Sequence, residues 1–526
     1  MHDIEIPRQE EKTFLYHLFE KLPAFLSWGV LALPIILSLF SPILTVTFIL
    51  GYLIMWFVRS IGLSFRVLQG WHTLQQHQKM PWNKMIDDIE KQKVSINKPK
   101  WHARNIALLE QYPAPVKPSE VVHAVIVATY NESREVVEPT IQAVLESNYD
   151  AKKIILILAY EERGGKSIED QSKHLIQQYG DKFLFARAIK HPKDVPGEVI
   201  GKGGNITHAG RALQKELEKR QIDPKTVLVT TLDADNRPHH NYFAALTYTY
   251  CLCPEPKLIS FQPIPMFTNN IWDAPAPMRV IATGNSFWMV VQSLRPHMLR
   301  NFSSHAQSMD ALIDTDFWSV RTIVEDGHQY WRSYFRFNGQ HEVYPIYVPI
   351  YQDAVLADGY RRTLKAQFVQ LRRWAWGASD VPYVAVKGYF TKNNLSKIDL
   401  SFKFFRLVEG HTSWATAPAI LLFSAFIPEI FNPQDIAANQ LPNIASGIQR
   451  VATVGLLVTL FLSMKVLPPK PKRYKKHRTF FMVIQWVMLP VTGLVYNSFA
   501  ALYSQTRLFF GKYLDKFDVT EKATKS

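Results

Sequence analysis

Two long, nearly uncharged apolar regions flank a polar middle segment, and they constrain the fold more than any other feature of the chain. Near the N-terminus, residues 24–40 and 43–58 form two apolar runs. Near the C-terminus, further runs cover residues 411–427, 451–467 and 479–503. A helix needs about 17–25 apolar residues to cross a bilayer, so the runs predict membrane-spanning helices on both sides of a soluble segment.

The positions of the basic residues predict how these helices are oriented. Arg59 and Arg66 follow the N-terminal pair of runs, and a basic cluster at 470–478 separates the last two runs. Basic residues concentrate on the cytosolic side of membrane proteins, so we expect an integral, multi-pass protein of the plasma or inner membrane with a cytosolic middle segment. The net charge of +15 also suits nucleic acid, but it lies beside the apolar runs and the sequence shows no nucleic-acid-binding motif. We therefore expect a membrane-lipid partner and no nucleic acid.

Alternating strands and helices in the middle segment predict an α/β fold. An almost uninterrupted apolar strand at 121–128 precedes a helical pattern at 134–147, and a second strand follows at 154–159. A helix at 206–219 then leads into a strand that begins at Thr226. Continuous apolar strands are typical of parallel sheets covered on both faces, and this βαβα order predicts a doubly wound sheet.

The strand that begins at Thr226 ends in two carboxylates, Asp233 and Asp235. Open α/β sheets bind ligands at the carboxyl ends of their strands, and Mg²⁺ is usually held by one or two carboxylates plus substrate phosphates. The pair therefore predicts a metal and phosphate site. Chance alone supplies roughly one Asp-x-Asp in a chain of this length, and Asp314-Thr315-Asp316, which no strand precedes, is the rival candidate.

Two further polar clusters each have a functional and a structural interpretation. The stretch from Gly201 to Asn205 suits a phosphate at a helix N-terminus, although its spacing matches no standard phosphate-binding loop. Glu325 and Asp326 directly precede an aromatic helix. They are either site acids or acids that stabilise the helix dipole.

A basic helix near residue 370 carries a third cluster. Gln370, Arg373 and Trp374 are spaced at i, i+3 and i+4, so they share one face of the helix. An amphipathic helix on the membrane surface explains the same pattern, and the two interpretations are compatible.

Five short motifs occur in the order typical of one enzyme family. They are Tyr130-Asn131-Glu132, Lys202 to Asn205, Asp233-Ala234-Asp235, Glu325-Asp326 and Gln370-Leu371-Arg372-Arg373-Trp374. With the flanking apolar runs, they resemble the membrane-embedded family 2 glycosyltransferases, the group of cellulose and hyaluronan synthases. The chain end from Phe517 to Lys522 is similar to the Phe-x-Val-Thr-x-Lys gating loop of cellulose synthases.

The resemblance implies a GT-A (Rossmann-like) cytosolic glycosyltransferase domain inserted between transmembrane helices. Such a domain transfers a sugar, with inversion, from a nucleotide-sugar donor that is typically a UDP-sugar, and it uses Mg²⁺ or Mn²⁺. The resemblance makes Asp326 the catalytic base and Asp235 the metal ligand. The implied donor-binding residues are Tyr130, Glu132, Glu161, Lys202, Asp233, Gln370, Arg373, Thr520 and Lys522. The implied acceptor-binding residues are Trp374, Glu325, Ser304 and His305.

The sequence departs from the family pattern in two places that bear on the site. The second strand ends in Glu161-Glu162 where the family has Asp-Asp or Asp-Gly, so either glutamate can take that role. The usual Cys-Gly of the acceptor segment is absent, and Phe302 to His305 stands in its place. The identity of the acceptor therefore stays open.

We expect five segments along the chain. They are an N-terminal transmembrane hairpin (1–66), an interfacial linker (67–117), the catalytic domain with interfacial helices (118–390), a transmembrane and re-entrant region (391–512) and a gating-loop-like end (513–526). If the chain end caps a cytosolic site, the run at 479–503 must start and finish on the cytosolic side, yet it is too short for two spans. It is therefore predicted to break at Pro490 and to re-enter the membrane or lie at its surface.

Three functions follow as alternatives. The first is extension of a polysaccharide, with or without its translocation and with or without a partner subunit for export. The second is transfer of a single sugar to a lipid-linked acceptor, which a small number of helices favours because a channel must be enclosed. The third is a non-catalytic, nucleotide-binding membrane scaffold.

Overall fold

A mixed β-sheet organises the middle of the chain in the computed structural model, which describes residues 4–96 and 98–516. In these residues the sheet has eight strands in the order β3-β2-β1-β4-β7-β6-β8-β5. The strands are β1 Val122–Thr129, β2 Ile154–Glu161, β3 Phe185–His191, β4 Val227–Asp233, β5 Arg237–Pro238, β6 Ile259–Met266, β7 Ala306–Ser308 and β8 Glu342–Tyr351. Strands β1 to β4 run parallel, and β7 pairs antiparallel with both β4 and β6. The predicted α/β, Rossmann-like fold is confirmed, although the sheet is not parallel throughout.

The helices surround this sheet and form the membrane region. In chain order, they begin with α1 Phe14–Phe40, α2 Pro42–Gln78, α3 Trp82–Lys91, α4 Lys100–Leu108, α5 Arg134–Leu145, α6 Gly165–Tyr179, α7 Lys202–Lys219, α8 Tyr242–Leu252, α9 Ala276–Ser293 and α10 Met309–Asp314. The series continues with α11 Glu325–Arg336, α12 Tyr360–Ala375, α13 Asp380–Ala385, α14 Lys397–Phe423, α15 Ile427–Phe431, α16 Ile436–Val466, α17 His477–Ile484, α18 Leu489–Thr492 and α19 Phe499–Phe509.

Strand β1 shows why its sequence produces a buried central strand. Its side chains alternate between two apolar clusters on opposite faces of the sheet. Val125 and Val127 belong to one cluster, whereas Ala124 and Ile126 belong to the other. Because successive side chains of a strand point to opposite faces, a strand buried on both faces needs an uninterrupted apolar sequence. The central part of the sheet is therefore covered by an apolar core on each face.

Five helical segments of the described chain are long and apolar enough to cross a membrane. They are Phe14–Phe40, Pro42–Gln78, Lys397–Phe431, Ile436–Val466 and His477–Phe509. Large apolar side chains on them, such as Phe40 and Ile43, are exposed, as expected for surfaces that face lipid. The turn between the first two segments is set by Ser41, whose hydroxyl accepts the Leu44 amide proton at 3.4 Å, and by Pro42 at the first helical position.

The last of these segments contacts the sheet domain at both of its ends. At its start, Arg478 donates a hydrogen bond to the Trp272 carbonyl at 2.6 Å. Near its end, Ser504 donates to the Arg372 carbonyl at 2.5 Å. Between these contacts the helical geometry changes around Pro490, with a 3₁₀ turn before it and a π-helical turn at Gly493–Ser498 after it.

Candidate functional site

A large cavity opens where the carboxyl ends of β1, β2 and β4 meet the starts of α7 and α11. Its volume is about 2050 Å³, and it extends from the sheet edge to the membrane helices. Most of the residues predicted for the site line this one cavity. They are Tyr130, Glu132, Glu161, Lys202, Asp233, Asp235, Glu325, Asp326, Gln370, Arg373 and Trp374.

Lys202 and Asp233 form an ion pair at the floor of the cavity. The Lys202 ammonium lies 2.6 Å from Asp233 Oδ1, and the Ser303 hydroxyl donates to Asp233 Oδ2 at 2.6 Å. Burial alone would lower the pKa of Lys202, but the charges of Asp233 and Glu325 outweigh it and raise that pKa. Lys202 therefore stays cationic beside the acids, where it can also attract a diphosphate.

The structure starts α7 at Lys202, so the glycine-rich stretch is the first turn of a helix and not a loop before one. Gly203 is needed there because a Cβ on it would lie 2.2 Å from the Ser319 carbonyl oxygen. The next turn is tied to the sheet by Asn205, whose amide donates to the Ala159 carbonyl at 2.9 Å. This close packing brings the positive end of α7 and the Lys202 side chain to the strand ends.

Asp235 is the acid best placed to hold a divalent cation. It is 5% exposed, and its Oδ2 accepts the backbone N–H of Asp353 at 3.1 Å. Asp353, which follows the end of β8, also lines the cavity. In residues 4–96 and 98–516, including this site, no group of three or more histidine, cysteine or acidic side chains is arranged to bind a metal. A pair of carboxylates fits Mg²⁺ or Mn²⁺ that is shared with substrate phosphates.

Two acids begin α11, and they differ in burial and in hydrogen bonding. Glu325 is 3% exposed, and among the described residues its Oε2 finds no hydrogen-bond donor. Asp326 is half-buried and also lines the cavity, and its Oδ1 accepts the Gly327 amide proton at 2.7 Å. Burial raises the pKa of both carboxyl groups, and the charge of Lys202 opposes the rise in each. A buried acid with a raised pKa suits proton transfer, and Asp326 is the less buried of the two.

Glu161 is the glutamate that faces the cavity at the end of β2. Its Oε1 lies 3.1 Å from His191 Nδ1, while its Oε2 accepts from Arg163 at 3.1 Å. On the other side of the imidazole, His191 Nε2 lies 2.9 Å from Glu198. Burial alone would lower the pKa of His191, but the hydrogen bonds to the two glutamates raise it to about 9. Glu162 instead accepts the Lys193 amide proton at 3.0 Å, away from the cavity lining.

The carboxylate of Glu132 orders the turn that follows β1. Its Oε2 accepts the backbone N–H of Tyr130 at 2.7 Å and that of Asn131 at 3.2 Å. These bonds fix the backbone between the strand and α5, and they leave the Tyr130 ring at the cavity wall. Glu132 thus shapes this wall as well as lining it.

Helix α12 presents its predicted face to the cavity. Gln370 accepts a hydrogen bond from Gln367 at 3.0 Å, and Trp374 packs against Phe267 with ring centroids 6.2 Å apart. Burial raises the pKa of Asp326, and the charge of Arg373 is one of the influences that oppose this rise. The helix therefore brings a cation and an aromatic ring opposite the strand ends.

Two predicted acceptor residues lie outside the cavity lining. Ser304 is completely buried and bonds to Asn236 and Gln352. Both ring nitrogens of His305 are occupied, one at 2.9 Å from the Phe302 carbonyl and the other by the Trp318 indole N–H at 3.0 Å. Burial lowers the pKa of His305 to about 4. Their positions give the predicted acceptor role no support, whereas Phe302 and Ser303 of the same segment line the cavity.

The rival Asp-x-Asp pair lies elsewhere on the domain. Asp314 forms an ion pair with Lys257 at 2.7 Å, and Asp316 forms one with Arg211 at 2.9 Å. Neither acid lines the cavity, which leaves Asp233 and Asp235 as the pair at the sheet edge.

The gating-loop motif, from Phe517 to Lys522, lies outside the described residues. Thr520 and Lys522 belong to it, so their roles stay predictions. The last described residue, Lys516, lines the cavity and forms a parallel bridge with Ile200. The chain therefore reaches the site just before the predicted segment begins.

Asp353 is the site residue that sequence reasoning missed. It follows the end of β8, so the strand-end argument that identified Asp233 also applies to it. Pro345 and Pro349 obscured that strand, because proline removes a ladder hydrogen bond and argues against a strand assignment.

Comparisons with known proteins find similar solved structures only at low identity. No family model and no curated protein matches the chain. A mannosyltransferase from Pyrobaculum calidifontis, in complex with GDP-Man and Mn²⁺, is 13% identical with a TM-score of 0.41, and the match covers 87% of this chain and 98% of that one. S. aureus TarS 1–349, in complex with UDP-GlcNAc, is 12% identical with a TM-score of 0.35, and the match covers 75% and 93%. At this distance the assignment of an activity depends on the site itself.

Proposed function

We propose that the protein is a membrane-embedded glycosyltransferase that moves a sugar from a nucleotide-sugar donor to an acceptor hydroxyl. The observation that carries the proposal is the single cavity that joins Asp235 and Asp353, Lys202, Asp326 and Arg373. It combines carboxylates for a cation, cations for a diphosphate and a separate acid for proton transfer. The motif order adds support, since it resembles that of the cellulose and hyaluronan synthases of family 2.

Asp326 acts as the base in this proposal. Its carboxylate removes the proton from the acceptor hydroxyl, the hydroxyl oxygen bonds to the sugar C1, and the bond from C1 to the diphosphate oxygen breaks. The proton ends on Asp326, and the electron pair leaves with the nucleoside diphosphate. Because the proposal assigns one carboxylate as the base and none as a nucleophile, the displacement is direct and inverts the anomeric centre.

The positive groups around the cavity stabilise the leaving diphosphate. Lys202 lies at the start of α7 and Arg373 lies across the cavity on α12, so negative charge that develops on the leaving group meets fixed cations. A Mg²⁺ or Mn²⁺ held by Asp235 and Asp353 would neutralise further charge on the diphosphate when bound. Glu161 and the Tyr130 ring line the part of the wall that is left for the nucleoside.

The acceptor is either a growing polysaccharide or a lipid-linked molecule. The cavity continues from the catalytic residues to the membrane helices, where Leu53 and Leu421 line it. This continuity supports an acceptor that enters or leaves through the membrane region. We place the sheet domain on the cytosolic side, because Arg59, Arg66 and the basic segment at 470–478 lie at that end of the helices.

Donor hydrolysis or transfer by the purified protein tests the proposal. A panel of UDP- and GDP-sugars is incubated with Mg²⁺ or Mn²⁺, and the release of nucleoside diphosphate is measured. We expect one donor to be turned over and Asp326→Asn to lower the rate at least about 100-fold, as loss of a general base does. The matched control is Asp314→Asn, which removes an acid of the same type from the surface.

Full activity in Asp326→Asn would remove Asp326 from the mechanism. A wild-type protein that binds nucleotide but turns over none of the donors would favour the non-catalytic scaffold instead.

A further inference from the structure

A ring of arginines surrounds the cavity between the catalytic residues and the bilayer. We call Arg59, Arg66, Arg295, Arg300 and Arg406 the arginine collar. All five line the same cavity, and among the described residues Glu409 is the one acid that forms ion pairs with members of the collar. The strand ends on the opposite side carry the acids of the catalytic site. Charge is therefore separated along the cavity, with a positive zone next to the membrane.

Contacts show that the collar is a connected structure. Arg59 and Arg406 bind the two oxygens of Glu409, at 2.9 Å and 3.4 Å. Arg406 also contacts the Met298 sulfur at 3.8 Å, which places it beside the turn that carries Arg295. The collar thus joins α2, α14 and the segment after α9.

The remaining collar residues add charge that the protein does not neutralise. Arg66 lies seven residues after Arg59, so both occupy the same face of α2. Arg66 is half-buried and has no hydrogen-bond or ion-pair partner within residues 4–96 and 98–516. Arg300 is fixed by stacking, with its guanidinium 3.9 Å from the centroid of the Tyr330 ring. One carboxylate against five guanidinium groups leaves a strong excess of positive charge.

Beyond the collar the cavity becomes apolar. Leu53 of α2, Leu421 of α14 and Ile448 of α16 line its far end, and these residues belong to one cluster between the three helices. The order along the cavity is therefore acidic site, cationic collar and apolar groove. A neutral glycan would leave the collar charge uncompensated, whereas a lipid with a phosphate group matches the collar and the groove together.

We propose that the collar binds the phosphate of a lipid-linked acceptor, and that the lipid chain lies in the groove between α2, α14 and α16. Arginine is the side chain best suited to bind phosphate oxygens in pairs, and basic pockets between membrane helices are known sites for lipid headgroups. The inference rests on the proposed function, because it names the acceptor class of that site. It favours transfer to a lipid over extension of a free polysaccharide.

Lipid binding without any donor tests this inference separately from catalysis. The full-length protein is placed in phosphatidylcholine nanodiscs that contain polyprenyl monophosphate, and retained lipid is measured by native mass spectrometry. Parallel nanodiscs contain the uncharged polyprenol or phosphatidylglycerol. We expect polyprenyl monophosphate to bind at least about tenfold more tightly than either, because hydrogen bonds to a charged group carry most of the affinity.

Collar variants locate the binding site. Arg66→Gln and Arg406→Gln are each expected to weaken binding about tenfold, and Arg66→Lys to restore part of it. The matched control is Arg450→Gln, which removes an exposed arginine of α16 that lies outside the cavity lining. Thermal unfolding of each variant in the same nanodiscs shows whether the fold is intact.

Three results would overturn the inference. They are equal binding of polyprenol and its phosphate, equal binding of phosphatidylglycerol, or unchanged binding in folded Arg66→Gln and Arg406→Gln. A soluble acidic oligosaccharide that binds with the same dependence on Arg66, while the lipid phosphate does not, would point to an anionic glycan. Lipid binding that survives in a protein without transferase activity would refute the proposed function alone.

Discussion

Replacing Lys202 by methionine tests how the charges of the cavity set the protonation of Asp326. Burial raises the pKa of Asp326, and the ammonium of Lys202 is the strongest opposing influence. An opposite charge within about 4–6 Å lowers a carboxyl pKa by about 1–3 units. Asp326 and Lys202 line the same cavity, so Lys202→Met should raise the pKa of Asp326 further.

The sign of the effect on activity follows from the role of Asp326 as a base. A base is active only when deprotonated, so activity is present above its pKa and is lost as the pH falls through it. A raised pKa moves the acid limb of the kcat/KM profile to higher pH, and activity on that limb falls about tenfold for each pH unit of that movement. The assay is diphosphate release measured between about pH 5 and pH 8.

Two further variants distinguish the loss of the Lys202 charge from the loss of its contact with the nucleotide-sugar donor. Lys202→Arg keeps the cation, so its acid limb should stay at the wild-type position even if the rate falls. Lys257→Met removes a lysine from a surface pair with Asp314 and should leave the profile unchanged. An acid limb that stays in place or moves to lower pH in Lys202→Met would refute the reasoning.

Three other predictions concern the metal, the buried histidine and the helix packing at the site. Asp235→Ala should abolish saturable Mn²⁺ binding in the presence of nucleoside diphosphate, measured by calorimetry, whereas Asp314→Ala should not. Hydrogen bonds to two glutamates raise the pKa of His191 to about 9. The stability that these bonds give the folded protein is therefore complete below about pH 6.5 and is lost as the pH rises through 9. The unfolding temperature should fall over that window, and His191→Gln should flatten the slope. Gly203→Ala should destabilise the protein by about 1–3 kcal/mol in thermal unfolding, because its Cβ would meet a backbone oxygen at 2.2 Å.

The first half of the sheet could be predicted from the sequence because its strands are buried on both faces. Such strands are uninterrupted apolar runs, and their ends are marked by polar residues. Strands β1, β2 and β4 were therefore recognisable, and the acids Asp233 and Asp235 at the end of β4 were recognisable with them. The structure brings these acids into one cavity with Asp326 and Arg373, although the residues lie far apart in the chain.

The strands in the second half of the sheet could not be predicted from the sequence in this way. Strands β6 and β8 contain prolines, and their register shifts between Pro263 and Ile264. Prolines are tolerated here because the irregular register leaves some backbone positions without a ladder hydrogen bond. The sequence alone does not reveal this irregular register. The same condition concealed Asp353.

Local spacing also could not distinguish neighbouring polar residues in the acceptor segment. Ser303 and Ser304 are chemically identical, yet Ser303 bonds to Asp233 while Ser304 is completely buried beside Asn236. The difference arises from the backbone, since Ser304 has a positive φ of 73° that turns the chain away from the cavity. Such a turn depends on tertiary packing.

The contacts of the chain ends constrain how many helices cross the membrane. The Ile4 carbonyl accepts a hydrogen bond from Tyr383 at 2.7 Å, so the N-terminal segment lies against the sheet domain. Lys516 pairs with Ile200 on the same domain. If both ends lie on one side, the number of crossings is even, and one of the five candidate helices described does not cross. His477–Phe509 is the one that contacts the domain at both ends and changes geometry around Pro490. We therefore propose that four of these helices cross the membrane and that the fifth is re-entrant. The π-helical turn of this fifth segment packs against α14, where Ser498 donates a hydrogen bond to the Ala415 carbonyl.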